Sequence, residues 1–335
     1  MTSKTSLHLN PLQAFANSIH LINDNNFEQK AFELFQLQYE SNNVYRTFVD
    51  LIRNYIGNID SINNIPFLPI SFFKTHEIKS FDGNVQAVFE SSATTGQVTS
   101  KHYVCDLKLY EQNCLRNFEQ FYGSINQYSF YALLPSYLER NNSSLVYMVN
   151  FFMEKSGQKV KYFFLNDFDK LKNELIRNDG KKKVLFGVTY ALLDFADKYK
   201  PNLENVIIIE TGGMKGKRDE MTKSELHDIL KKEMKTKQIH SEYGMTELLS
   251  QAYATENGEF ITPNTMKVIL RNTTDPFEKK PSLKRGAVNI IDLANVYTCA
   301  FIETQDVAMM NDNCTFSILG RMDNSDIRGC SLMYI

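Results

Sequence analysis

Between residues 128 and 235 strand-like apolar runs alternate with helical ones, and few topologies accommodate that order. Strand-like runs fall at 128–134, 145–149 and 160–164. The pattern then predicts a helix near 168–177, a strand at 184–188, a helix near 190–199 and a strand at 206–209. The helix near 222–235 opens with the capping box Thr222-x-x-Glu225, whose two side chains satisfy backbone donors at the helix start. Strands that run parallel need a crossover between them, and the intervening helices supply it. The chain is therefore expected to be α/β, with largely parallel sheets flanked by helices.

The flanks differ in texture. Residues 10–60 read as helices: Phe32, Phe35 and Tyr39 share one face, and Val44, Phe48, Leu51, Ile52 and Tyr55 share another. Asn and Ser at 41–43 provide the break and a cap, and both stripes are expected to face the core. In Ile65–Lys74 two prolines impose an extended course into an alternating strand (Val85, Ala87, Phe89). Tyr103–Asp106 is expected to begin a helix with Tyr110, Cys114, Phe118 and Phe121 on one face. From about residue 260 short strands follow at 266–270, 287–293, 298–302 and 315–319, a β-rich closing subdomain.

Composition narrows the partners. With 43% apolar and 23% charged residues the chain is of the soluble globular class. Its net charge of −2 gives no electrostatic reason to expect nucleic acid. No apolar run reaches the ~18 residues a membrane span needs, and Met1-Thr2-Ser3-Lys4 lacks the apolar core of a signal peptide. A cytoplasmic location is expected. Five cysteines without a CxxC pair argue against a disulfide framework or structural zinc; Cys105, Cys114, Cys299 and Cys314 read as structural.

Four stretches carry candidate chemistry. Ser91-Ser92-Ala93-Thr94-Thr95-Gly96-Gln97-Val98-Thr99-Ser100 follows a strand, is rich in hydroxyls and has no acidic side chain. Such a loop offers short donors to polyphosphate oxygens, although many polar surface loops have this composition. It is not a Walker loop, since GxxxxGK[ST] is absent. Glu210-Thr211-Gly212-Gly213-Met214-Lys215 follows an apolar strand, where glycines permit close backbone approach to a flat ligand, or simply form a turn. Ser241-Glu242-Tyr243-Gly244-Met245-Thr246-Glu247 combines an aromatic able to stack on a base, a hydroxyl and a carboxylate able to hold Mg²⁺. Last come Glu303-Thr304-Gln305-Asp306 and Gly320-Arg321, a strand-end carboxylate suited to ribose hydroxyls and an arginine able to add a charge-assisted bond. His102 and His240 flank two of these stretches and are expected to be hydrogen-bonded side chains.

In this order the stretches resemble the acyl-adenylating superfamily of acyl-CoA synthetases, phenylacetate-CoA ligases and luciferases. Within it the chain is most similar to the acyl-protein synthetase family of bacterial bioluminescence operons. Ile65–Lys74, Ser91–Asp106, Ser143–Met148, Thr211–Lys215, Ser241–Glu247 and Gly320–Met333 carry the likeness. The resemblance implies an adenylate-forming domain over 1–319, with a helical N-terminal segment (1–80) and the β-rich subdomain (260–319), then a tail over 320–335. It implies that Ser91, Ser92, Thr94, Thr95 and Gly96 cradle phosphate, and that Gly212 and Gly213 wall the adenine. By the same likeness Tyr243 stacks on adenine beside Gly244, Thr246 touches the α-phosphate, Glu247 holds Mg²⁺, and Asp306 and Arg321 hold the ribose. Ala93 and Gln305 stand where the superfamily has glycine, and the chain ends at Ile335 without the superfamily's mobile lid.

Arg328-Gly329-Cys330-Ser331-Leu332-Met333 matches the acyl-accepting cysteine of that family. A thiolate, favoured by a neighbouring arginine, captures an acyl-adenylate that a carboxylate alone would resist. The implied activity is that of a ligase forming carbon–sulfur bonds. Mg·ATP and a fatty acid give acyl-AMP, Cys330 takes the acyl group, and a partner such as an acyl-CoA-reductase-like subunit receives it. A small CoA ligase resembling phenylacetate-CoA ligase, or a non-catalytic scaffold, are the alternatives.

Overall fold

The computed structural model describes residues 10–92, 98–134, 142–165, 167–212, 221–275, 277–278 and 283–322. Three helices open the chain: α1 (Pro11–Ser18), α2 (Phe27–Ser41) and α3 (Asn43–Ile56). After β1 (Leu68–Pro69) and the short α4 (Phe72–Thr75), β2 (Ala87–Glu90) and β3 (Lys101–Val104) form an antiparallel pair. The centre runs α5 (Leu107–Tyr122), β4 (Tyr128–Leu133), α6 (Ser144–Lys155), α7 (Phe168–Ile176), β5 (Lys182–Val188), α8 (Thr189–Tyr199), β6 (Val206–Thr211), α9 (Lys223–Met234), β7 (His240–Tyr243) and β8 (Ala252–Ala254). The chain then adds β9 (Met266–Arg271), β10 (Arg285–Asp292), β11 (Phe301–Met310) and β12 (Phe316–Arg321).

Helical crossovers make β4, β5, β6 and β7 parallel neighbours in that order, and β8 closes the sheet antiparallel to β7. Every residue of β4 is buried, as a sheet covered on both faces requires. The second sheet has the order β1-β11-β10-β9, with β12 also on β11; it is antiparallel except where β1 lies parallel to β11. The fold is thus mixed α/β with the predicted parallel sheet. Among the described residues no helix is long and apolar enough to cross a membrane.

Several local expectations are corrected. Residues 145–149 lie in α6, capped by Ser143, which accepts from the Val146 N–H. Val146, Val149 and Met153 form its buried line, and over five residues a buried helix has the same apolar signature as a strand. Residues 160–164 add only a parallel bridge, Ala132 to Phe163, at the edge of β4. Tyr103 and Val104 belong to β3, and the helix starts after Asp106, whose Oδ1 caps the Leu109 N–H at 3.0 Å. Residues 298–300 precede β11, which instead runs on to Met310.

The helical stripes are also rotated. In α2 the buried line is Phe27, Ala31, Leu34 and Gln38, with Phe32, Phe35 and Tyr39 half-buried beside it. In α3 Tyr45 and Val49 are buried, whereas Leu51 is 73% and Tyr55 69% exposed. Asn42 does cap α3, accepting from the Tyr45 N–H at 3.0 Å. The buried polar anchor is Gln38, which donates to the carbonyls of Asn295 and Val296 and accepts from the Ala300 N–H. Its amide ties the N-terminal helices to the turn between β10 and β11.

Candidate active site

The carboxyl ends of the parallel strands form one edge of the central sheet, the edge at which α/β sheets bind ligands. There β7 gives way to residues 244–250, and buried side chains from four segments hold this loop by its backbone. His102 Nδ1 lies 2.7 Å from the Thr246 carbonyl oxygen, and Asn295 Nδ2 donates to the Glu247 carbonyl at 2.8 Å. Asn113 donates to the Leu249 carbonyl at 2.9 Å. The Asp292 carboxylate accepts from the N–H groups of Leu249 and Ser250 and from the Ser250 hydroxyl. Burial pushes His102 down to about 4, so at neutral pH its imidazole is uncharged and Nδ1 carries the proton given to Thr246. The hydrogen-bonded reading of His102 therefore holds. His240 meets the Tyr122 hydroxyl through Nδ1 at 3.1 Å.

Beside this loop several of the predicted residues meet. Tyr243 donates its hydroxyl to Asp306 Oδ2 at 2.7 Å, and Arg321 Nε lies 3.4 Å from Asp306 Oδ1. Asp306 and Arg321 are register partners on β11 and β12. The Tyr243 ring packs on Phe260 and Phe316, with centroids 5.7 and 5.5 Å away. Burial raises the Glu247 carboxyl, against which act the Ser100 side chain and the charges of Arg321 and Lys74. Ser100 in turn closes the base of the hydroxyl-rich loop: its N–H donates to Ser91 Oγ at 2.9 Å, and the Ser91 N–H to its carbonyl at 3.1 Å.

Ser91, Tyr243, Glu247, Asp306 and Arg321, predicted from three of the four stretches, thus form one contiguous group. Gly244 and Thr246 are half-buried in the loop itself, and Ser92 is exposed beside Ser91. Gly212 follows β6 at φ +74°, a left-handed turn that favours glycine, and accepts from Thr189 Oγ1 at 3.4 Å. Ala93, Thr94, Thr95, Gly96, Gln97, Gly213, Met214, Lys215 and Cys330 lie outside the described residues. Among the described residues no group of three or more His, Cys, Asp or Glu is placed to hold a metal. A site offering Glu247 as one carboxylate suits Mg²⁺, which usually fills its remaining positions with phosphate oxygens and water.

Two buried carboxyls, members of the named stretches that carry no assigned role there, stand behind this group. Glu210 would be raised by burial, but Lys223, His227 and Ser241 reverse the effect and hold it near 2. Ser241 Oγ donates to it at 2.7 Å, and Lys223 forms an ion pair with the same oxygen. Glu242, 7% exposed, accepts from Thr211 Oγ1, and its Oε1 lies where a Cβ on Gly244 would fall, 2.4 Å from that position. Burial raises Glu242 to about 7; the Thr211 bond and Lys223 oppose this, and the Glu210 charge adds to it.

Because Glu242 binds its proton more tightly folded than unfolded, its contribution is complete below about 4.5 and is lost as pH rises to about 7. The loss is of order 3 kcal/mol. Glu242→Gln is accordingly expected to melt near the wild type at pH 5 and above it at pH 8. Melting curves across that range check this; a difference independent of pH would contradict it.

Residues 15–334 match a family model described as "Acyl-protein synthetase, LuxE". No curated protein matches the chain. Among solved structures, ATP-bound MatB from Rhodopseudomonas palustris aligns with TM-score 0.54 at 16% identity, covering 71% of this chain and 48% of that one. Amide bond synthetase McbA from Marinactinospora thermotolerans aligns with TM-score 0.51 at 14% identity over 71% and 49%. A benzoate CoA ligase from Burkholderia xenovorans LB400 aligns with TM-score 0.51 at 13% identity over the same shares. At these identities the likeness is one of fold, to the large domain of adenylate-forming enzymes. The chain spans about half the length of the structures it matches.

Proposed function

We propose, for a chain that belongs to the acyl-protein synthetase (LuxE) family, a two-step activation of a carboxylic acid, with a fatty acid as the expected class. In the first step a carboxylate oxygen attacks the α-phosphorus of ATP, the bond to the β-phosphate oxygen breaks, and pyrophosphate leaves. In the second the Cys330 thiolate attacks the acyl carbon, the acyl–phosphate bond breaks, and AMP leaves. The thioester is then passed to an acyl-acceptor protein of the acyl-CoA-reductase kind.

The observation that carries this reading is the meeting of Tyr243, Asp306 and Arg321 beside Glu247, at the ligand-binding edge of a parallel sheet. Asp306 offers acceptors to ribose hydroxyls, and Arg321 a positive charge next to them. Thr246 presents its hydroxyl from a backbone fixed by His102, and Glu247 is fixed by Asn295, so both act from preset positions. A Mg²⁺ ion held by Glu247 would neutralise phosphate charge during the displacement. The hydroxyls of Ser91, Ser92, Thr94 and Thr95, with the glycines at 96, 212, 213 and 244, complete the nucleotide site in this proposal.

Intact mass after incubation with ATP, Mg²⁺ and a pool of fatty acids tests it. The expected result is one acyl adduct, labile to hydroxylamine and mapped to Cys330. Unchanged mass together with unchanged ATP would overturn the reading.

A further inference from the structure

We propose that Lys74 is a phosphate-contacting residue of this site, giving positive charge to the β- and γ-phosphates of ATP and to departing pyrophosphate; the proposal rests on the adenylation reading above.

The prolines of Ile65–Lys74 bring the chain in extended, and β1 docks it parallel on β11, pairing Leu68 with Ile302 and Pro69 with Glu303. The Ile70 N–H adds a bond to the Glu303 carbonyl at 2.9 Å. The segment is thereby fastened to β11 three residues before Asp306. It then turns into α4, where Phe73 is buried and meets the His102 ring edge-on at 5.9 Å. That is the histidine whose Nδ1 holds the Thr246 carbonyl. Lys74 therefore springs from a backbone anchored on both sides of the site, on the strand of Asp306 and on the support of Thr246.

Its side chain is free for a ligand. Lys74 is exposed, and among the described residues it forms no ion pair. Arg321, the cation at the end of β12, is already engaged by Asp306 and by Gln305 at 3.4 Å. A lysine ammonium suits phosphate as a mobile point charge, and it stabilises charge that develops on a leaving pyrophosphate.

Lys74→Ala, Lys74→Gln and Lys74→Arg in the full chain test this against three probes: ATP, inorganic pyrophosphate and AMP. Removing the charge is expected to weaken ATP and pyrophosphate about 10- to 100-fold, while AMP affinity stays within about twofold and the melting temperature is unchanged. Arginine is expected to restore most of the loss. Equal ATP affinity in wild type and Lys74→Ala, or a parallel loss of AMP, would overturn the proposal. A wild type that binds ATP yet exchanges no pyrophosphate with any acid would sink the adenylation reading, while the ATP-to-AMP ratio still decides Lys74. A wild type that binds no ATP would overturn both.

Discussion

Glu247→Gln is expected to lower acid-dependent ATP–pyrophosphate exchange by about 10²- to 10³-fold, the scale of losing one preorganised electrostatic contact to a transition state. The substitution keeps shape and keeps an acceptor for Ser100, and the Asn295 bond is to the backbone carbonyl, which is unaffected. Burial already penalises the charged form of Glu247, so removing that charge is not expected to cost stability. Stability and catalysis therefore separate: melting should hold or rise while exchange collapses and its dependence on Mg²⁺ concentration moves to higher values. Exchange within threefold of wild type would remove Glu247 from the site.

Cys330→Ser is expected to do the converse. Exchange should persist within a few-fold, because the first step does not use the thiol. The hydroxylamine-labile acyl adduct should fall by at least about 10²-fold, since a serine hydroxyl is protonated at neutral pH and lacks the nucleophilicity of a thiolate. The other cysteines are poor substitutes. Burial pushes Cys105 and Cys299 up to about 12 and Cys114 well above the usual thiol range. Only Cys314, in the turn between β11 and β12, is exposed among the described cysteines. Cys314→Ser is thus the control: full labelling there with none in Cys330→Ser assigns the acceptor, and the reverse pattern would move it to Cys314.

The fold was legible where a run was wholly β-branched or a helix start carried its own capping signal. Val206–Ile209 and the Thr222 capping box are such places, and both stand as read. Where a short run mixed Leu, Tyr and Met with valine the period did not decide, as in Leu145–Val149 of α6. Where an amphipathic helix lay near the surface, aromatic residues misdirected the choice of face, as with Tyr55 on α3. At the site, residues bearing recognisable chemistry (Tyr243, Glu247, Asp306, Arg321) could be picked from the sequence. Their supports could not: His102 and Thr246 are 144 positions apart and Asn295 and Glu247 are 48 apart. No local pattern couples such pairs; only the folded topology does. The character of Glu242 escaped notice for the same reason, since it comes from burial within the fold, and its bonding partner Thr211 is 31 positions away on β6.

One nucleotide held at once by the loop after β7, by β11 and by β12 is the central requirement of the proposed adenylation. Amide hydrogen exchange with and without Mg·ATP tests this directly. Peptides spanning 241–250, 301–307 and 316–322 are expected to slow together, at the same ATP concentration, with little change in α2 or α3. Protection confined to one of the three, or absent from all at saturating ATP, would contradict it.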